Sequence, residues 1–171
     1  MHLAPQEGRT FFVTSVTVAR RAILQSERMA NLLVRVLQDY RNQEKFLLHE
    51  FVIMPDHFHL LLTPAADIPL EKAVQYIKGS FSFRAKKELD FQAPIWERSF
   101  TNHRVGGADD YARHRDHILQ NPVKRFLAKA VEHFPYSSAY PGSGVDPAPP
   151  WPKPQLSQSV FRGPRRPALP P

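Results

Sequence analysis

Apolar runs along the first part of the chain predict four strands. A run rich in β-branched and aromatic residues at 10–17 predicts the first strand. Apolar runs at 46–53 and 57–63 flank a Met-Pro-Asp corner, which predicts two buried strands joined as a hairpin. A shorter run at 95–100 predicts a fourth strand, followed by a polar loop.

Two long stretches instead repeat apolar residues at the spacing of one helix face. The first begins after Ser26, which suits an N-cap position. Its apolar stripe contains Met29, Leu32, Leu33, Val36, Leu37 and Tyr40. The second stretch extends from Pro69, which suits a first helical turn, to about Leu89.

A third helix is predicted at 111–120, with Asp109 or Asp110 available as its cap. It should end at Asn121, because Pro122 disfavours helical geometry in the residue before it. The order of strand, helix, hairpin, helix, strand and helix predicts an α+β fold whose sheet is at least partly antiparallel.

The composition changes after residue 140. Ten of the 17 prolines lie within 141–171, a segment with few periodic apolar positions. Such a segment buries too little apolar surface to offset the entropy of ordering it. We therefore expect residues 1–140 to form one domain and residues 141–171 to form a disordered tail.

The charge of the chain favours a polyanionic partner. The formal net charge is +7 and the pI is near 9.9, which favours nucleic acid over a membrane surface. The absence of cysteine excludes disulfides and thiolate metal sites. No apolar run reaches transmembrane length, and the N-terminus lacks the apolar segment of a signal peptide. We therefore expect a cytoplasmic protein.

The strongest chemical signal is the sequence His57-Phe58-His59 in the third strand. Because side chains alternate along a strand, both imidazoles should lie on one face, a few ångströms apart. Two imidazoles in this geometry can bind one divalent metal ion. On spacing alone, a pair that merely lines a polar face is the more frequent outcome.

The segment at 54–62 resembles the His-hydrophobe-His signature of the HUH endonucleases. It is most similar to that of the REP-associated tyrosine transposases, the single-tyrosine relatives of the smallest bacterial insertion-sequence transposases. Further segments agree with this family in order and spacing, at 11–17, 95–100, 110–124 and 136–139. The resemblance implies a ferredoxin-like antiparallel sheet with the histidine pair on a central strand.

The resemblance also implies metal-dependent chemistry on single-stranded or hairpin DNA. In the family, two histidines and a helix amide or acid bind a divalent ion, and a helix tyrosine attacks the scissile phosphate. On this chain the implied ligands are His57, His59 and Asn121, and the implied ion is Mg²⁺ or Mn²⁺. The implied function is that of a transposase that nicks and transfers single strands.

The nucleophile position departs from the family pattern. The family sequence Asp-x-x-x-His-x-x-Tyr-Ile-x-x-Asn-Pro-Val-Lys is matched from Asp110 to Lys124, except that His117 replaces the tyrosine. Tyr111 lies six residues earlier. That spacing is about 9 Å along a helix axis, so Tyr111 could substitute only after a large helix shift.

Three interpretations of His117 stay open. The chain is a catalytically inactive derivative that still binds DNA, or His117 is a general base or third metal ligand in a hydrolytic nickase, or His117 attacks phosphorus directly. A small metal-dependent phosphoesterase is an alternative outside the transposases.

Basic and imidazole side chains are the candidates for contact with DNA phosphates. They are Arg20, Arg21, Lys78, Arg84, Arg98, His103, Arg104, Lys124 and Arg125. The sequence does not decide between a monomer and a homodimer.

Overall fold

The computed structural model describes residues 9–151. In chain order the elements are β1 (Phe11–Val16), α1 (Glu27–Asn42), β2 (Phe46–Met54), β3 (His57–Pro64), α2 (Leu70–Leu89), β4 (Thr101–Arg104) and α3 (Ala108–Lys124). Short 3-10 turns lie at Val18–Arg20, Ile23–Gln25 and Val131–His133. Within the described range no helix has the length and apolar character that a bilayer span requires. The first three strands and the first two helices closely match the predicted ones.

The four strands form one sheet in the order β2-β3-β1-β4, and every neighbouring pair is antiparallel. β3 lies between β2 and β1, so it is a central strand. One helix follows β1 and another follows β3. This is the ferredoxin-like arrangement, and the predicted fold class is confirmed.

The two faces of the sheet bury different partners. α1 and α2 cover the main core. The β3 residues in that core are Phe58, Leu60 and Leu62. On the other face, α3 packs Ile118 against a smaller apolar cluster that includes Leu61. Since side chains alternate along a strand, His57 and His59 lie on the same face as Leu61, toward α3.

The fourth strand lies later in the chain than predicted. Residues 95–100 form a loop with one isolated bridge at Trp96, and its apolar side chains pack on the main core. All four β4 side chains are exposed, so this edge strand lacks the apolar pattern by which a strand is recognised. His103 and Arg104, expected in a polar loop, are strand residues.

The third helix is longer than predicted at both ends. It begins after Gly107, with no side-chain cap, and it continues through Pro122 to Lys124. Proline removes one helical hydrogen bond, and here it does so in the last turn, where little of the helix depends on that bond. The prediction that the helix ends at Asn121 is therefore wrong.

Residues 136–146 run along the edge of β2 that no strand covers. The backbone hydrogen bonds that join them to β2 are Ile53 N to Tyr136 O, Ser138 N to Phe51 O and Asp146 N to Leu48 O. These bonds satisfy backbone groups that an edge strand otherwise leaves open.

Asp146 fastens the end of this segment. Its carboxylate accepts hydrogen bonds from Arg41 Nε and Nη2, both at 3.0 Å, and from Leu48 N at 2.8 Å. Residues 141–151 were expected to belong to a disordered tail, and the structure instead holds them against the domain. The rest of that expected tail, 152–171, lies outside the described residues.

These contacts predict that the segment stabilises the domain. Replacing Asp146 with asparagine should lower the free energy of unfolding by about 2 kcal/mol, the size of a hydrogen bond to a partly buried charged group. Urea denaturation measures the change. The matched control is Asp67→Asn, which alters an exposed carboxylate and should stay within about 0.5 kcal/mol of the wild type. Equal stability of the two variants would show that the Asp146 contacts contribute nothing.

Candidate active site

His57 and His59 form the centre of the site, at the start of β3. Their ring centroids are 4.7 Å apart, and the two residues are only 4% and 7% exposed. β3 is buried along its whole length, so its backbone fixes both side chains on the face that α3 covers. The imidazoles therefore lie together on one face, as strand alternation requires.

Each imidazole is oriented by a hydrogen bond at Nδ1. His57 Nδ1 lies 2.6 Å from Asp56 Oδ1. An ionised carboxylate only accepts, so His57 Nδ1 carries the proton and the Nε2 lone pair is available. His59 Nδ1 lies 2.7 Å from Thr14 Oγ1, at the β1 position directly opposite. When the hydroxyl accepts, His59 Nε2 is available in the same way.

Burial keeps both imidazoles neutral near pH 7. It lowers the pKa of His57, although Asp56 acts in the opposite direction. Burial, with added effects from the neighbouring His57, His117 and Arg125, lowers the pKa of His59 to about 3. Neutral imidazole is the form that binds a metal ion, so the pair can take a cation without first releasing a proton.

α3 brings His117 next to the histidine pair. Its ring centroid lies 5.0 Å from that of His59 and 6.0 Å from that of Phe12. Burial, together with the charge of Lys124, lowers the pKa of His117. Asn121 lies one helical turn further on and is buried.

The predicted ligands fit a divalent ion chemically. Two neutral imidazoles and an amide oxygen suit Mn²⁺ or Mg²⁺ that keeps several waters. Asp56 supplies the carboxylate that commonly orients a metal-binding histidine from behind. The residues present therefore fit the ion that the resemblance implies.

Tyr111 lies in the apolar cluster on the α3 side of the sheet. Its side chain is buried in the α3-side core, where its ring lies 6.2 Å from His49 and 6.3 Å from Trp151. Burial and the negative charge of Glu50 raise the pKa of its hydroxyl. A buried phenol with a raised pKa is a poor nucleophile.

A second polar cluster, formed by His103, Asp110 and His114, joins β4 to α3. One ligand atom of each residue lies within 4.8 Å of the other two. Asp110 Oδ2 accepts from Gly106 N at 2.8 Å and from His103 Nε2 at 2.7 Å, and these bonds lower its pKa to about 2. Two imidazoles and a carboxylate are also a set that could hold a metal ion.

Sequence reasoning missed several residues of the site. Asp56 directly precedes the histidine strand, so an adjacent carboxylate was a usable signal. Thr14 and Phe12 could be found only from the pairing of β1 with β3. Phe12 lies between the two histidine groups, with ring centroids 5.1 Å from His59 and 4.6 Å from His114.

Three of the predicted DNA-contact residues lie near His57, His59 or His117. Arg20 forms an ion pair with Asp56 at 3.5 Å. Lys124 and Arg125 are exposed at the end of α3, and their charges add to burial in lowering histidine pKa values. Positive charge around neutral imidazoles makes this surface suited to a phosphate group.

The other predicted DNA-contact residues lie on α2, in loops or on β4. Lys78 and Arg84 belong to α2, on the opposite side of the sheet. Lys78 Nζ donates to Glu97 O at 2.8 Å, and Arg84 forms ion pairs with acidic residues of α1 and α2. The remaining candidates are exposed in loops or on β4, namely Arg21, Arg98, His103 and Arg104. Their contact with DNA stays a prediction.

An open cleft with a volume of about 330 Å³ lies between β1 and the loop before β4. Its polar lining includes Thr14, Arg20, Glu97 and Ser99. Thr14 also orients His59, so the cleft opens beside the histidine pair.

The IS200-like transposase family model matches residues 10–121 of the chain. A Haemophilus influenzae protein named as a REP-associated tyrosine transposase is 33% identical over 96 residues. The aligned part covers 50% of this chain and 54% of that protein, so the chain spans about half the length of this relative.

Two solved structures are similar as well. One is a REP-associated tyrosine transposase bound to a REP hairpin, with a TM-score of 0.59 and 26% identity over 81% of each chain. The other is a Deinococcus radiodurans protein named as a transposase, with a TM-score of 0.49 and 22% identity over 70% of this chain and 91% of that one. The range matched by the family model contains His57, His59, His117 and Asn121. The predicted resemblance is confirmed, and this chain belongs to the IS200-like transposase family.

Proposed function

We propose that this chain binds single-stranded or hairpin DNA and that His57, His59 and Asn121 hold a divalent ion against one of its phosphates. The observation that carries this proposal is the pair of neutral imidazoles, each oriented at Nδ1, with the cations Arg20 and Arg125 near them. The similar REP-associated transposase, whose structure contains a REP hairpin, supports the choice of DNA.

The residues around the pair have separate tasks in this proposal. A bound divalent ion would polarise a phosphate oxygen. Asp56 and Thr14 keep the imidazoles oriented, so that little ordering is required when DNA arrives. Lys124 and Arg125 contact phosphates, and the cleft beside Thr14 offers a path for an unpaired strand. Binding as a monomer or as a homodimer is compatible with these tasks.

His117 determines which reaction follows. An imidazole cannot form the phosphotyrosine link, so covalent strand transfer through a tyrosine is not expected. DNA binding without transfer is the first candidate function. A hydrolytic nickase is the second, because the lowered pKa of His117 keeps its ring neutral and able to accept a proton from water, 5.0 Å from His59.

Metal binding should depend on the β3 pair. Calorimetric titration with Mn²⁺ should show binding to the wild type and a loss of about tenfold or more in a His57→Ala, His59→Ala variant, which lacks both nitrogen ligands. The control is His133→Ala, which removes an exposed histidine. Thermal unfolding checks that each variant is folded.

A second double variant, His103→Ala with His114→Ala, separates the two candidate metal groups. It should keep the Mn²⁺ affinity of the wild type. Loss of binding in this variant alone would assign the ion to the β4–α3 cluster. Equal affinity of the wild type and the His57, His59 variant would contradict the proposed ligands.

DNA affinity should fall with salt in proportion to the phosphates contacted. Each phosphate neutralised on a single strand contributes about −0.7 to the slope of log K against log salt, so a Lys124→Ala, Arg125→Ala variant should reduce that slope by about 1.4. Fluorescence anisotropy of a labelled hairpin with single-stranded flanks measures the slope. Lys86→Ala, an exposed change on α2, is the matched control.

An affinity that does not change between low and moderate salt would contradict a phosphate contact surface. Cleavage of small phosphoesters by a protein without salt-dependent DNA affinity would favour the phosphoesterase alternative.

The wild type should form no denaturant-stable adduct with DNA, whereas His117→Tyr should gain one in the presence of Mn²⁺. The expectation applies if only the nucleophile was lost, and the histidine pair with its partners Asp56 and Thr14 supports that condition. If the metal or DNA site has decayed too, no adduct should form. Denaturing electrophoresis of labelled hairpin DNA detects the adduct. His117→Phe, with the same ring and no hydroxyl, is the control.

Two results would contradict this account of the site. The first is a wild-type adduct that disappears in Tyr111→Phe, which would make Tyr111 the nucleophile. The second is the absence of any adduct in His117→Tyr although Mn²⁺ and hairpin binding are retained.

A further inference from the structure

Phe126, in the turn after α3, is a large apolar side chain that the fold leaves uncovered. It is 96% exposed, more than any other large apolar residue in the described part of the chain. A single exposed apolar residue needs no explanation by itself. Phe126 differs from such a residue in two respects. Its backbone has a positive φ, and it directly follows two exposed cations, Lys124 and Arg125.

The backbone at Phe126 is in the left-handed region, with φ of 60°. This conformation is free of strain for glycine and unfavourable for a bulky residue. Three backbone hydrogen bonds hold the turn. They run from Arg125 N to Asn121 O at 3.1 Å, from Phe126 N to Val123 O at 3.1 Å and from Leu127 N to Pro122 O at 2.8 Å. These bonds are those of a helix C-cap, whose left-handed position glycine usually occupies. The Phe126 side chain buries almost nothing, so its ring adds nothing to the core, and a bulky residue at this position is a reason to look for a function.

The position of the turn indicates which function. The turn starts at Asn121, the candidate metal ligand, and its first exposed residues are Lys124 and Arg125. α3 places the His117 ring 5.0 Å from that of His59, and the turn begins one helical turn after His117. Phe126 therefore projects into solvent at the end of α3 that follows the histidine site, directly after two cations. Aromatic rings beside basic side chains are the combination with which proteins bind single-stranded DNA.

We propose that Phe126 is a stacking platform for an unpaired nucleobase next to the phosphate at the histidine pair, while Lys124 and Arg125 contact the neighbouring phosphates. The inference rests on the proposed DNA-binding function and adds a residue, Phe126, through which the chain contacts an unpaired base. Every base has a π face, so this contact selects unpaired structure rather than sequence.

Affinities for two DNAs test the platform: a hairpin with unpaired flanks, and the same hairpin with blunt ends. Phe126→Gly should weaken binding to the flanked hairpin by about tenfold, and it should not change binding to the blunt one. Phe126→Leu keeps an apolar side chain without a π face and should weaken binding in the same way. Phe126→Trp should retain the affinity of the wild type.

Two further measurements separate stacking from a folding defect. Phe126→Gly should unfold at the same temperature as the wild type or at a higher one, because glycine relieves the strained φ. With 2-aminopurine placed in the flank, wild-type protein should change the fluorescence of that base as it leaves its neighbours in the strand and stacks on Phe126, and Phe126→Gly should not produce this change.

Several outcomes would overturn the inference. If Phe126→Gly binds the flanked hairpin as tightly as the wild type, the protein still binds DNA but Phe126 is not a stacking platform. Weakening by Phe126→Gly but not by Phe126→Leu would indicate apolar contact without stacking. A wild-type dimer that Phe126→Gly converts to a monomer, with DNA affinity unchanged, would assign the residue to contact between copies. A wild type that binds neither DNA would remove the inference together with the proposed function.

Discussion

The pairing of β3 with its two neighbours is the constraint on which the rest of the structure depends. Because β3 is buried on both faces, a shift of one residue would move Phe58 out of the main core and the histidines into it. The same register places Thr14 opposite His59, where its hydroxyl meets the imidazole. A buried polar ring without a partner would be costly, so Asp56 and Thr14 belong to the fold as much as to the site.

Most of the fold could be predicted because most of its elements bury a face. α1 and α2 repeat apolar residues at helix spacing, and β2 and β3 are near-continuous apolar runs of the kind that strands buried on both faces show. β4 buries no side chain, and the fourth strand was therefore predicted too early in the chain. α3 continues past Pro122 because a proline in the last turn removes only one hydrogen bond of the helix. Residues 141–151 were misjudged because a few polar contacts, chiefly that of Asp146 with Arg41, hold them in place. Composition does not register contacts of this kind.

The residues of the site also differ in how far the sequence alone reveals them. His57 and His59 could be found from spacing, since a period of two requires no knowledge of strand pairing. The role of Thr14 depends on which strands are neighbours. The contact between His103 and Asp110 depends on how the chain turns from β4 into α3, so no local pattern reveals either. His117 and Asn121 came from the resemblance, because helix spacing alone does not distinguish them from other exposed or buried helix residues.

The segment at 136–146 gives the sheet two unequal edges. At one edge, β4 offers only four residues, all with exposed side chains. At the other edge lies β2, nine residues long and mostly buried, the kind of strand that readily pairs with an identical strand from another molecule. The hydrogen bonds from this segment occupy backbone groups of that edge, so fewer of them are open to pairing with a strand of another molecule. Two copies of the chain could extend β2 into a continuous sheet only by first displacing this segment and its Asp146 anchor.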